Sequence, residues 1–194
     1  GKALQQLGCN VLPPNRILRC GKLDFCTLDE LGNPKTILNL RRDMDKEELK
    51  ARYVQIAASN DLEKYHTQLP DVREWLTEVM QLFESDECEF PVLVHCRHGK
   101  DRTGIVVACL LTILGVDDEL IVKEFLLSKD APEQLIRHAM KAWQAKGIAA
   151  YFRKKVDVAR VKANLLRVAE SAAAPERGDE KAGSSPAASN AGTT

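Results

Sequence analysis

A chain of 194 residues with 44% hydrophobic and 29% charged residues has the composition of an ordinary globular protein, long enough to bury one sizeable core. Its 28 basic and 28 acidic residues cancel, which removes any global attraction to nucleic acid or an anionic membrane and leaves anion binding to local clusters. The longest apolar run, Ile105 to Leu114, is only about half of the ~20 residues that span a bilayer, so no transmembrane segment is expected.

In chain order, four short apolar runs read as strands: Arg16–Cys20, Thr36–Leu40, Tyr53–Ala57 and Val92–His95. After the third strand comes a polar loop, "SNDLEKYHTQLP", and then the helical stretch "PDVREWLTEVMQLFES". There Pro70 and Asp71 suit a helix start, and Val72, Trp75, Leu76, Val79, Leu82 and Phe83 form one apolar face. "GIVVACLLTILG" is apolar all round and predicts a central buried helix ending at Gly115. "DDELIVKEFLLS" opens with acids that suit the positive end of a helix dipole. Further helices are expected over 132–146 and roughly 152–170, the second carrying Val158, Val161, Leu165 and Val168.

Strands alternating with helices indicate an α/β fold over residues 1–170: one domain with a central, mostly parallel sheet covered on both sides and flanked by helices. Residues 171–194, rich in Ala, Ser, Gly and Pro, contain no large apolar side chain and are expected to be a disordered tail. The cysteines Cys9, Cys20, Cys26, Cys88, Cys96 and Cys109 form no CxxC pair and no cluster with histidine, so neither a metal site nor a disulfide framework is expected. No signal peptide is legible after Lys2, which makes the reducing cytoplasm the expected compartment.

The chemistry concentrates in "HCRHGKDRTG", residues 95–104, between the fourth strand and the buried helix. A strand–loop–helix joint aims the first helical N–H groups and the helix dipole at the loop, which favours an anion. Gly99 lets the backbone curl closely, and Arg102 offers a planar fork for two oxygens of one phosphate. Cys96 stands in the same field, which favours its thiolate; His95 orients the loop and Thr103 offers a hydroxyl to the sulfur. A thiolate on the floor of an oxyanion cradle is a nucleophile aimed at phosphorus.

The same stretch resembles the His-Cys-x5-Arg-Thr/Ser-Gly signature of cysteine-dependent protein tyrosine and dual-specificity phosphatases. "NRILRCGKLD" and "PKTILNLRR" are similar to the opening of the compact atypical dual-specificity enzymes. The "GKDRTG" loop looks like the branch that includes bacterial tyrosine and lipid phosphatases. The resemblance spans roughly residues 15–130. It implies a protein tyrosine phosphatase-like fold and attack by Cys96 to give a phosphocysteine, with Arg102 and the loop amides holding the phosphoryl oxygens. Water then hydrolyses the intermediate, with no metal and no cofactor. It also implies an aspartic acid on a mobile loop, although the family's Trp-Pro-Asp tripeptide is absent. Asp61, just after "RYVQIAA" and 35 residues before Cys96, is the leading candidate. Asp71, Glu63, His66 and Asp101 compete with it.

Arg97, His98, Gly99, Lys100, Asp101 and Arg102 make up the expected phosphate-binding set. The positive charge of Arg97, His98 and Lys100 reads either as solvated rim or as contacts to extra phosphates. The substrate is accordingly a phosphorylated protein, with phosphotyrosine leading, or a phosphorylated inositol or lipid. Tyr65 is a candidate to stack on a substrate ring, and Arg41 and Arg42 either gather near the loop or decorate the surface. A phosphate-binding module without turnover, and a sulfurtransferase or arsenate reductase, are the readings from other classes.

Overall fold

The computed structural model describes residues 2–45, 49–58 and 63–167. Asp61 and the tail at 171–194 therefore lie outside the described residues. Strands β1 (Ile17–Cys20), β2 (Thr36–Asn39), β3 (Arg52–Gln55) and β4 (Val92–His95) form one all-parallel sheet in the order β1-β4-β2-β3. The central strands β2 and β4 are buried at every position, which is why their apolar residues stand side by side rather than alternating with polar ones.

The helices are α1 (Lys2–Gln6), α2 (Pro70–Glu84), α3 (Asp101–Leu114), α4 (Asp118–Leu126), α5 (Glu133–Gln144), α6 (Ile148–Tyr151) and α7 (Val158–Leu166). The sheet divides the interior unequally. The larger core gathers Leu38, Val92 and Val94 with the apolar faces of α2, α3, α5 and α7. On the other face a smaller cluster, Leu23, Ile37 and Leu93, is closed over by Leu28, Leu31 and Tyr53. Every residue of α3 from Arg102 to Leu111 is buried, so its all-round apolarity follows from its central place. The helix stops at Gly115, whose φ of 83° lets its amide return to the carbonyls of Leu111 and Thr112. Among the described residues no helix is long and apolar enough to cross a membrane.

Two departures from the sequence reading have local causes. The helix expected over roughly 152–170 starts later, as α7 at Val158, because Arg153 and Lys154 take positive φ angles of 51° and 63° and keep residues 152–157 out of a helix; residues 168–170 lie outside the described residues. Asp157 then restarts the chain as a helix cap, its carboxylate accepting from the Arg160 amide at 3.0 Å. The buried helix begins at Asp101 rather than at Gly104, so the second half of the basic loop is its first turn.

The register fixes where ligands gather. His95 pairs with Cys20 on one side and Asn39 on the other, so three strands end together and deliver the loop after β4 to the carboxyl edge of the sheet.

Candidate active site

At that edge β4 ends with His95, the loop 96–100 turns, and α3 begins at Asp101. Cys96 lies on the floor at 2% exposure, and Arg102 and Thr103 are buried beside it. Arg102 donates from Nη1 to the Leu40 carbonyl at 3.0 Å, which ties the guanidinium to the end of β2.

Gly99 is required by geometry. It has a φ of 64°, and a Cβ on it would lie 2.5 Å from the carbonyl carbon and oxygen of Cys20 and 2.8 Å from the Gly21 nitrogen. All three atoms are backbone and cannot swing away. Gly99→Ala is expected to destabilise the fold by about 2–4 kcal/mol, read as a shift in urea unfolding, because it combines left-handed strain with overpacking. An unfolding midpoint equal to wild type would show that the loop is not pressed against β1.

Burial alone pushes the Cys96 thiol up. The Thr103 hydroxyl, the amides of Thr103 and His98, and the Arg102 charge together outweigh it and hold the thiol below its ordinary value. The Thr103 hydroxyl is buried, and its hydrogen bond to the sulfur is among the interactions that lower the Cys96 thiol. Other cysteines behave in the opposite way: burial raises Cys20 to about 12 and Cys88 to about 11. Cys109, in the core of α3, is raised by burial alone, in keeping with a packing role. Of these four thiols only Cys96 is brought below its ordinary value.

His95 is fully buried, with Nε2 3.0 Å from Asp45 Oδ2. Burial lowers its pKa, the Asp45 charge opposes this, and Arg41 adds to the lowering, so the ring is held neutral. Asp45, at 3% side-chain exposure, also accepts from Arg41 Nη1 at 3.0 Å and from the Tyr53 hydroxyl at 2.7 Å. Asn39 completes the network by accepting from the Arg41 amide at 2.7 Å. Arg41 is thus a buried anchor behind the loop rather than surface decoration. Asp45 was missed by sequence reasoning; the only available signal was the dense run of charge in "RRDMD" directly after β2.

The remaining candidates divide. Arg97 and His98 are exposed at the rim, while Lys100 is half-buried with Nζ 3.3 Å from the Asp130 carbonyl. Asp101 accepts a 2.7 Å hydrogen bond from the Tyr65 hydroxyl. Tyr65 is 4% exposed, so it is a wall of the site and not a free platform for a substrate ring. Burial and the bond to Asp101 raise its pKa, which keeps it a donor. Asp71 occupies the first turn of α2, exposed to solvent, and His66 lies against the His138 ring with centroids 5.0 Å apart. Among the described residues neither is bonded to the loop. The leading acid candidate, Asp61, falls outside the described residues.

Comparison with known proteins gives concordant results. A family model described as "Tyrosine phosphatase family" matches residues 7–174. The triple specificity protein phosphatase PtpB of Mycobacterium tuberculosis is 53% identical over 45 residues, which are 23% of this chain and 16% of that protein. Among solved structures, TpbA of P. aeruginosa superposes with a TM-score of 0.53 at 19% identity, covering 73% of this chain and 86% of that one. The core catalytic domain of the PP-IP phosphatase SIW14 of S. cerevisiae superposes with a TM-score of 0.52, also at 19% identity, covering 76% and 93%.

Proposed function

This chain belongs to the tyrosine phosphatase family, and from that premise we propose that it hydrolyses phosphomonoesters through a phosphocysteine on Cys96, with protein phosphotyrosine as the leading substrate class. One observation carries the proposal. In a site where burial alone would raise a thiol, Thr103, the His98 amide and Arg102 converge on Cys96 and bring it below its ordinary value.

The steps follow from that arrangement. The Cys96 sulfur attacks phosphorus, an S–P bond forms, and the bond to the leaving oxygen breaks. The leaving oxygen takes a proton from Asp61. Arg102 and the loop amides hold the equatorial oxygens throughout. Water then cleaves the S–P bond, gives its proton to the Asp61 carboxylate, and restores the thiolate and free phosphate. Two observations support Asp61. The chain four residues further on is bonded to the phosphate loop through Tyr65 and Asp101, and four residues reach at most ~14 Å. His95, neutral and braced by Asp45, holds the loop and is not itself the acid.

A second reading, hydrolysis of phosphoinositides or inositol (pyro)phosphates, draws on the exposed Arg97 and His98, which could meet further phosphates. The fold does not choose between them: TpbA has been solved with pTyr, and SIW14 is a PP-IP phosphatase. Phosphate release from a panel of phosphotyrosine peptides, phosphoserine peptides, phosphoinositides and inositol phosphates tests the substrate class. Phosphotyrosine peptides turned over best, with little loss when Arg97 and His98 are neutralised, is the expected result. Preference for inositol phosphates, lost in the neutralised variant, would install the second reading.

A further inference from the structure

Arg19 projects from β1 toward the outer side of the phosphate loop. Its Nη1 donates to both carboxylate oxygens of Glu124 on α4, at 2.7 and 2.9 Å. Its Nη2 donates to the Gly99 carbonyl at 2.8 Å and lies 3.1 Å from the Ser128 hydroxyl. The Glu124 side chain is only 6% exposed and that of Arg19 21%, so this fork is set in protein rather than waving in solvent. Next to Glu124, Phe125 presses on the start of α3: a Cβ on Gly104 would lie 2.5 Å from its ring. Phe125 also meets the Tyr65 ring edge-on, with centroids 6.4 Å apart. Helix α4 therefore grips the loop and the wall of the site from behind.

The Gly99 carbonyl matters because of what it is bonded to. In a trans peptide the C=O and the following N–H point in opposite directions. Pulling the Gly99 oxygen outward onto Arg19 turns the Lys100 N–H inward, toward the cradle. That amide donates to no backbone carbonyl among the described residues. We propose that Arg19, locked by Glu124, is a positioning residue of the phosphate loop: it fixes the Gly99–Lys100 peptide so that its N–H faces the bound oxyanion. The proposal rests on reading the loop as a phosphate cradle, and it adds a residue far from the signature motif to the machinery that shapes it. An acid and a base buried together can be replaced together without stranding a charge, which makes the brace testable.

The double variant Arg19→Met/Glu124→Met removes the brace while keeping apolar bulk. The readouts are inorganic phosphate binding by titration calorimetry and kcat/KM on an aryl phosphate, both taken well below the unfolding transition. Phosphate binding weakened about tenfold or more and kcat/KM lowered by about 10²-fold are expected, the size of losing one aligned oxyanion donor. A brace that serves only stability would lower Tm and leave phosphate affinity untouched. Affinity and kcat/KM within about twofold of wild type in the folded variant would overturn the proposal. If the double variant does not fold, Arg19→Lys decides the question, since it keeps the charge opposite Glu124 but has no fork to hold Gly99 as well. It should show the same weakening of phosphate binding, and wild-type binding would refute the brace. Phosphate binding needs no turnover, so a wild type that binds phosphate but hydrolyses nothing would defeat the hydrolase reading while leaving this one to the binding ratio.

Discussion

Cys96→Ser is expected to lower kcat on an aryl phosphate by about 10⁴-fold or more while leaving inorganic phosphate bound. The two halves of this result have separate causes. A serine hydroxyl is not ionised by a field that only brings a thiol below its ordinary value, so the nucleophile is lost. The proposed oxyanion cradle is made by the loop backbone and Arg102, and neither is altered. Arg102→Lys is the complementary change. It keeps the positive charge but loses the fork, and with it the bond that fixes the side chain to the Leu40 carbonyl. A fall of about 10³-fold in kcat/KM is expected there. Addition of a chelator should leave wild-type turnover unchanged. Undiminished turnover in Cys96→Ser, or loss of wild-type activity on chelation, would remove the thiolate mechanism.

Asp61→Asn is expected to lower turnover by about 10²–10⁴-fold for a poor leaving group such as phosphoserine, and much less for an activated aryl phosphate. A general acid matters in proportion to how badly the departing oxygen needs a proton. The rival within the site is Asp101, the first residue of α3. Its carboxylate already accepts the Tyr65 hydroxyl at 2.7 Å, which suits a structural bond between the loop and the wall better than proton transfer to substrate. Steady-state kinetics of Asp61→Asn and Asp101→Asn on the two leaving groups separate these roles. A leaving-group-dependent loss in Asp101→Asn, with Asp61→Asn unaffected, would move the acid into the phosphate loop.

The stretch that carries the proposed chemistry was legible because it is local. Cys96, Gly99, Arg102 and Thr103 fall within eight consecutive residues, and the apolar runs on both sides announce a strand and a buried helix. The four strands were found within a residue or two at each end, since short apolar runs bounded by polar residues have few other uses in a chain of this size. What escaped was long-range. Asp45 earns its place only by meeting His95, fifty residues later, and Arg19 only by meeting Glu124 and Gly99. A single sequence carries no mark of such pairs: each looks like one more charge among many. Tyr65 shows the reverse error. Its place near the acid loop was readable, but its burial against Phe125 and Asp101 depends on how α4 packs, and that turned a supposed platform into a wall. The break between α6 and α7 was hidden too, because Arg153 and Lys154 are not residues that usually take positive φ.

The most direct test of the whole reading is to look for the intermediate itself. Turnover of an aryl phosphate would be stopped by a rapid alkaline quench and the enzyme digested, with the peptide containing residue 96 weighed by mass spectrometry. One phosphoryl group on the Cys96 sulfur, enriched in Asp61→Asn and missing from Cys96→Ser, is the expected result. A Cys96 that stays unmodified throughout turnover in both wild type and Asp61→Asn, or a phosphoryl group carried on another residue, would contradict it.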